Sequence, residues 1–279
     1  MALTFPVMQE PSLWQAIILG TLQGLTEFLP VSSSAHLSLT PWVFGWQPAG
    51  LGFDVSLHIG TLIALLWYFR AEWARLVRGG FTLLANRGPV DDASRQALFI
   101  IIATIPAGIA GLLLEDLAET AFRAPIITAI ALVVLGTILW IVDARAPVNR
   151  TREQMTWRDA LLVGLAQCLA LVPGVSRSGS TITAGRALGF DRGDAAVFSF
   201  LMSMPIITAA AILKVPDAVR ETGFSVPLVA GILSAAGSSW LAIAVLLKFV
   251  KTQSYAVFAV YRFILGAVII GLIATRGGW

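Results

Sequence analysis

Charge is what this sequence has least of. Asp, Glu, Lys and Arg make up 13% of its 279 residues, against 57% hydrophobic, and a soluble domain would carry roughly twice that charge. Mean hydropathy is +0.82. So few charges, beside 15 Phe and 9 Trp, exclude a chain that stays solvated and disordered. A nucleic-acid role has little support, because the net charge is only +3 and the basic residues are spread over short loops. Cysteine is nearly absent. Cys168 stands alone inside an apolar run, so a disulfide framework and a thiolate metal site are both out of reach. No secretory signal is readable either: Met1 to Gln9 has no Lys or Arg ahead of an apolar stretch, and Arg70 is the first basic residue.

What the sequence has instead is long apolar runs. Ala97–Leu114, Ala124–Val142, Ala195–Leu213 and Thr222–Leu247 carry no charge and approach or exceed the length that spans a hydrocarbon core of roughly 30 Å. Val55–Phe69 is shorter, and Tyr255–Thr275 is interrupted by Arg262. Together they predict an all-α polytopic membrane protein with six transmembrane helices. Two further stretches, Pro11–Thr26 and Ala160–Val172, behave differently. Each breaks at a proline into small polar residues and then resumes as a weakly apolar helix. That pattern predicts two re-entrant helical hairpins, 11–48 and 157–189. Irregular backbone survives at membrane depth only where it is buried in protein or lines a cavity. The two breaks are therefore expected to face each other or water.

The hairpins resemble one another. A shift of 144 residues places Gly20 on Gly164, Gln23 on Gln167, Leu25 on Leu169, Val31 on Val175, Ser32 on Ser176 and Ser34 on Ser178. Three spans follow each hairpin. An odd number of crossings inverts the second copy, giving an inverted-topology repeat of 11–142 and 157–275 within one integral-membrane domain, 1–279. Arg70, Arg75, Arg78, Arg87 and Arg95 share one side with Arg145, Arg150, Arg152, Arg158, Arg192, Lys248 and Lys251. The opposite side holds Glu115, Asp116 and Glu119, with only Arg123, Lys214, Arg220 and Arg276 as basic residues. The positive-inside rule makes the Arg-rich side cytoplasmic and both termini external. The first hairpin then enters from outside and the second from the cytoplasm.

Chemistry concentrates at the breaks. Gln23 and Glu27 are four apart and share a helix face, and a carboxylate at membrane depth marks a functional site. Ser32, Ser33, Ser34 and His36 follow within nine residues, so a base, hydroxyls and an imidazole stand together. The second break, Pro173-Gly174-Val175-Ser176-Arg177-Ser178-Gly179-Ser180-Thr181, combines hydroxyls, a guanidinium and a helix N-terminus, which suits phosphate. The two sets together describe a phosphoryl-transfer site inside a membrane. Asp54 and His58 either line the same cavity or form a helix-end pair, and Arg262 is either a second anion contact or a snorkelling side chain.

The segments Gln-Gly-Leu-Thr-Glu-Phe-Leu-Pro-Val-Ser-Ser-Ser-Ala-His and Pro-Gly-Val-Ser-Arg-Ser-Gly-Ser-Thr resemble the two signatures of the bacterial undecaprenyl-pyrophosphate phosphatase family, the bacitracin-resistance type. Phe198–Leu201, Gln167–Leu171 and Tyr261-Arg262-Phe263 extend the resemblance over nearly the whole chain. It implies hydrolysis of a long-chain polyprenyl diphosphate to recycle the cell-wall carrier lipid, in the bacterial inner membrane, with a site open to the periplasm. By that resemblance Glu27, His36 and Ser33 are catalytic, Ser33 as nucleophile or as positioner of water. Arg177, Ser176, Ser178, Thr181 and Ser32 bind phosphate. A divalent cation, Mg²⁺ or Ca²⁺, is implied at Glu27 and Gln23, where Gln23 replaces the first Glu of the family's commoner pair. The implied partners are the lipid substrate and the membrane, with no nucleic acid and with homodimerisation left open. A transporter or lipid flippase would share the inverted repeat but would not require Glu27, Ser33 and His36. A scaffold would not carry polar groups at membrane depth.

Overall fold

Apolar runs in lipid must satisfy their backbone internally, and helices do so. The computed structural model describes residues 10–85, 91–114, 117 and 124–276, which form eleven α-helices and no β-strand. They are α1 (Leu13–Phe28), α2 (Ser33–Phe44), α3 (Leu51–Tyr68), α4 (Arg70–Leu84), α5 (Asp92–Leu113) and α6 (Pro125–Arg145), followed by α7 (Trp157–Cys168), α8 (Arg177–Ala187), α9 (Arg192–Thr222), α10 (Val226–Phe249) and α11 (Ala256–Arg276). Side-chain caps open several of them. Ser12 forms a capping box with Gln15 for α1, Thr156 does so with Asp159 for α7, and Asp91 and Ser225 cap α5 and α10.

Five helices, α5, α6, α9, α10 and α11, are each long and apolar enough to cross a membrane. The sixth expected span is α3, which turns into α4 through a bend of 86°. The bend takes Arg70, Arg75 and Arg78 out of the line of the span. Outward faces carry apolar side chains at helical spacing, such as Ile101, Ile105 and Ile109 on α5 or Val257, Val260 and Ile264 on α11. A bundle that exposes such faces on many sides is a multi-pass membrane protein. The span expected from Thr222 starts instead at Val226. α9 runs on to Thr222, well past Leu213, and Gly223 at φ +71° then provides the turn. Arg87, Glu115, Asp116, Glu119 and Arg123 lie outside the described residues.

Packing crosses between the two halves. α1 lies along α10 while α7 lies along α5, and α3 packs on α10 while α9 packs on α5. Both hairpins need glycine for this approach: a Cβ at Gly20 would sit 2.1 Å from the Gly231 oxygen, and one at Gly164 would sit 2.4 Å from the Ala103 oxygen. These are the first pair of glycines matched by the 144-residue shift. α2 packs through Ala35 and Leu39 against Ala129 and Leu132 of α6 and Leu265 and Ile269 of α11.

One end of the bundle gathers ion pairs. At that end Asp143 accepts from Arg186 Nε at 2.9 Å, Arg192 Nε at 2.8 Å and the Tyr255 amide at 2.9 Å, joining α6, α8, α9 and α11. Arg152 pairs with Glu72 there, and Arg150 with Asp159. α11 runs from this end to the other, where Arg276 reaches the Val43 carbonyl at 3.2 Å. The open end of the α1–α2 hairpin is therefore opposite that of the α7–α8 hairpin, and their tips meet between.

Candidate active site

Proline sets both tips. The residue before a proline is pushed out of the helical region, and Leu29 before Pro30 and Val172 before Pro173 are both extended, at ψ 140° and 117°. Each chain then turns back through a serine of positive φ, Ser32 at 74° and Ser176 at 70°. These are the only non-glycine residues of positive φ among the described residues, and they are related by the 144-residue shift. Such strain, of order 1–3 kcal/mol per residue, persists only where the surroundings over-determine it. Here each serine hydroxyl caps its own helix, Ser32 Oγ accepting from Ala35 N and Ser176 Oγ from Gly179 N.

The breaks also hold one another, as expected. Gly174 N donates to Ser32 Oγ at 3.1 Å, and Ser178 Oγ donates to the Leu29 carbonyl at 3.0 Å. Arg262 settles between its two expected roles by taking neither. It is fully buried and donates to the carbonyls of Leu132, Ala131, Pro30, Gly174 and Val175. The guanidinium is a fastening between both breaks and α6. All three of its nitrogens donate to backbone carbonyls.

Glu27, in the last turn of α1, is where the halves converge. Its Oε2 accepts from Ser33 Oγ at 2.7 Å and Gln23 Nε2 at 3.0 Å, and its Oε1 accepts from Arg177 Nη2 at 3.1 Å. Ser33 and Arg177 are themselves related by the 144-residue shift, each the first residue of its helix. A carboxylate at the negative end of a helix is poorly placed. The guanidinium from α8 and the start of α2 offset that. His58 Nε2 lies 3.6 Å from Glu27 Oε2, so His58 stands beside the same carboxylate.

Other expected residues sit at the site in different capacities. The hydroxyls of Ser32, Ser176, Ser178 and Thr181 are buried and bonded within the protein, Thr181 Oγ1 to the Arg177 carbonyl at 2.8 Å and to Ser199 Oγ at 2.7 Å. They shape the breaks rather than point into open space. Ser33 is only half-buried. His36 is one turn into α2 with both ring nitrogens engaged, Nδ1 by the Ser32 carbonyl at 2.7 Å and Nε2 by Tyr261 Oη at 2.6 Å. The imidazole beside Glu27 is therefore that of His58. Ser199, whose carbonyl accepts from Arg177 Nη1 at 3.0 Å, and Tyr261 lie in segments that extend the resemblance, but neither carries a sequence signal for a role at the site. His58 did have one, as an ionisable residue within an apolar run.

Two buried polar atoms in this cluster have no hydrogen-bond partner, Gln23 Oε1 and Arg177 Nε. An unpartnered buried acceptor beside a carboxylate is the part of a hard-cation site that a protein supplies. No group of three His, Cys, Asp or Glu suited to a metal occurs among the described residues. Gln23 Oε1 and the Glu27 carboxylate are the oxygens that would hold a divalent cation.

Comparison with known proteins places this geometry in context. A protein of Gemmatimonas aurantiaca named undecaprenyl-diphosphatase is 57% identical over 265 residues, 95% of this chain and 99% of that one. Proteins of the same name from Geobacter sulfurreducens and Pelotomaculum thermopropionicum are 47% and 44% identical, covering 94% and 95% of this chain and 98% of each relative. The model of the family described as bacitracin resistance protein BacA matches residues 16–268, both breaks included, and the chain belongs to that family.

Proposed function

We propose that the protein hydrolyses undecaprenyl diphosphate to undecaprenyl phosphate and inorganic phosphate, and so regenerates the cell-wall carrier lipid. The observation that carries the reading is Glu27 holding a serine hydroxyl from one break and a guanidinium from the other. Glu27 Oε2 takes the proton of Ser33 Oγ as that oxygen attacks the terminal phosphorus. The bond to the bridging oxygen breaks, and its electrons leave with the lipid monophosphate. Water then cleaves the phosphoserine and releases phosphate. Arg177 balances charge on the phosphoryl oxygens, the main demand of such a transfer. Ser32, Ser176, Ser178 and Thr181 keep the cradle rigid around it. A divalent cation held by Glu27 and Gln23 would neutralise the diphosphate.

Purified protein in detergent is expected to release phosphate from the C55 diphosphate, to stop when a chelator removes the cation, and to resume on adding Mg²⁺ or Ca²⁺. Movement of the lipid across a vesicle bilayer without any phosphate release would replace hydrolysis by flipping. Release unaffected by the chelator would remove the cation.

The cross-packing of the halves and the opposed hairpins support an inverted repeat of 11–142 and 157–275. The Arg-rich end is the cytoplasmic one by the positive-inside rule, with both termini outside and the site open to the periplasm. Gln47 and Gln253 are exposed at the two ends. In a Cys168→Ala background, an impermeant thiol reagent on intact cells should label Gln47→Cys and spare Gln253→Cys. The reverse pattern would invert the protein.

A further inference from the structure

We infer that Tyr261 and His36 are a positioning pair, in which the phenol holds the imidazole and the imidazole holds the strained Ser32 peptide that sets Ser33 against Glu27. The inference rests on the hydrolytic reading only for its kinetic part. Its starting point is a difference between the two breaks. In the second, the Ser176 carbonyl accepts the first helical bond of α8 from Ser180 N at 2.9 Å. In the first, the matching bond from His36 N to the Ser32 carbonyl is stretched to 3.4 Å, beyond the usual range for a good N–H···O bond. His36 Nδ1 makes up the difference with its own bond of 2.7 Å to the same carbonyl. A side chain thus replaces the weakened backbone bond at one of the two positive-φ serines.

The tautomer follows from the partners. A carbonyl only accepts, so Nδ1 carries the hydrogen. Nε2 of the neutral ring is then an acceptor, and the group 2.6 Å from it, Tyr261 Oη, donates. The two rings are also nearly parallel, 8° apart with centroids 5.6 Å apart. With both nitrogens satisfied and the ring buried, His36 has no free atom to offer a phosphate. Its effect on the reaction passes through Ser32, whose Oγ is also fastened to Gly174 and Ala35. A misplacement of about 1 Å at a reacting group can cost about a hundredfold in rate.

Asn and Gln separate this role from proton transfer. The amide nitrogen of Asn falls near the place of Nδ1 and that of Gln near Nε2. His36→Asn should stay within about tenfold of wild-type kcat, while His36→Gln should lose about a hundredfold. Tyr261→Phe should lower kcat and leave KM for the prenyl diphosphate unchanged. An Asn variant as inactive as the Gln variant, with both folded, would overturn the positioning role.

A second readout needs no activity. The chain has two histidines, so ¹⁵N-histidine labelling gives two imidazoles, assigned with His58→Gln. His36 should show a protonated Nδ1 and an unprotonated Nε2, and Tyr261→Phe should move only its Nε2 resonance. A protonated Nε2, or no response to Tyr261→Phe, would sink the pair. Absent phosphate release in the wild type would instead sink the hydrolytic reading, and the spectrum would still decide the pair.

Discussion

Glu27→Gln is expected to end phosphate release, with a loss of at least about a hundredfold, the lower bound for a group that takes a proton in the reaction. The change is nearly isosteric, so the space at the end of α1 stays filled. Its effect is electronic. Both carboxylate oxygens accept from donors that cannot accept in return, since Gln23 Nε2 and the Arg177 guanidinium carry only hydrogens. An amide keeps one acceptor, so Ser33 Oγ must accept where it now donates, or Gln23 must turn its Oε1 toward the new donor. The Arg177 charge also loses its counter-ion, and breaking a buried pair by removing one partner commonly costs about 3–5 kcal/mol. Thermal unfolding in detergent should accompany the assay for that reason. A Glu27→Gln variant that is folded and retains substantial activity would remove Glu27 as base. Gln23→Glu is the companion. It puts a second carboxylate where Gln23 now donates to Glu27, so the pair repels unless a cation lies between. Its activity should reach half-maximum at a lower Mg²⁺ or Ca²⁺ concentration than the wild type. An unchanged metal dependence would mean that Gln23 does not face the cation.

Much of this was legible in the residues, because charge is so scarce that each charged or polar side chain in an apolar run stands out. The prolines at 30 and 173 announced the breaks through a rule that is local and steric. The matched serines announced that the breaks share a conformation, and both indeed lie at positive φ. What stayed hidden depends on long-range contact. Nothing near Arg262 in the chain indicates that it fastens carbonyls from residues 30, 131, 132, 174 and 175. The hydroxyl-rich second break reads as an open cradle, yet all four of its hydroxyls are buried and bonded within the protein. Composition cannot tell a hydroxyl that meets a ligand from one that holds a turn. The same limit applies to His36. Its proximity to Glu27 in sequence suggests a joint role, but one helical turn carries its ring to Tyr261, and the structure brings His58 from α3 to Glu27 instead.

Arg177→Lys should lose roughly a hundred- to a thousandfold in kcat, the range seen when one preorganised donor to a developing oxyanion is removed. Charge is conserved in this change, so geometry alone is under test. The guanidinium spans two directions at once, with Nη1 on the Ser199 carbonyl at 3.0 Å and Nη2 on Glu27 Oε1 at 3.1 Å. Its third nitrogen, Nε, is buried and unpartnered in the protein. A planar fork held at two points has the directions of its remaining N–H donors fixed before substrate arrives. An ammonium has its donors on one atom and a flexible stem, so satisfying Glu27 leaves Ser199 and the phosphoryl oxygen to compete for what remains. Ser33, from the same half as Glu27, and Arg177, from the other half, hold the same carboxylate, so a loosened Arg177 also loosens the carboxylate that the serine needs. The variant should insert and unfold like the wild type, because the buried pair with Glu27 survives in reduced form. Competition by inorganic phosphate, followed alongside turnover, isolates the clamp: Arg177→Lys should raise the phosphate concentration needed for half-inhibition. Wild-type turnover with unchanged inhibition by phosphate would take Arg177 out of the phosphate site.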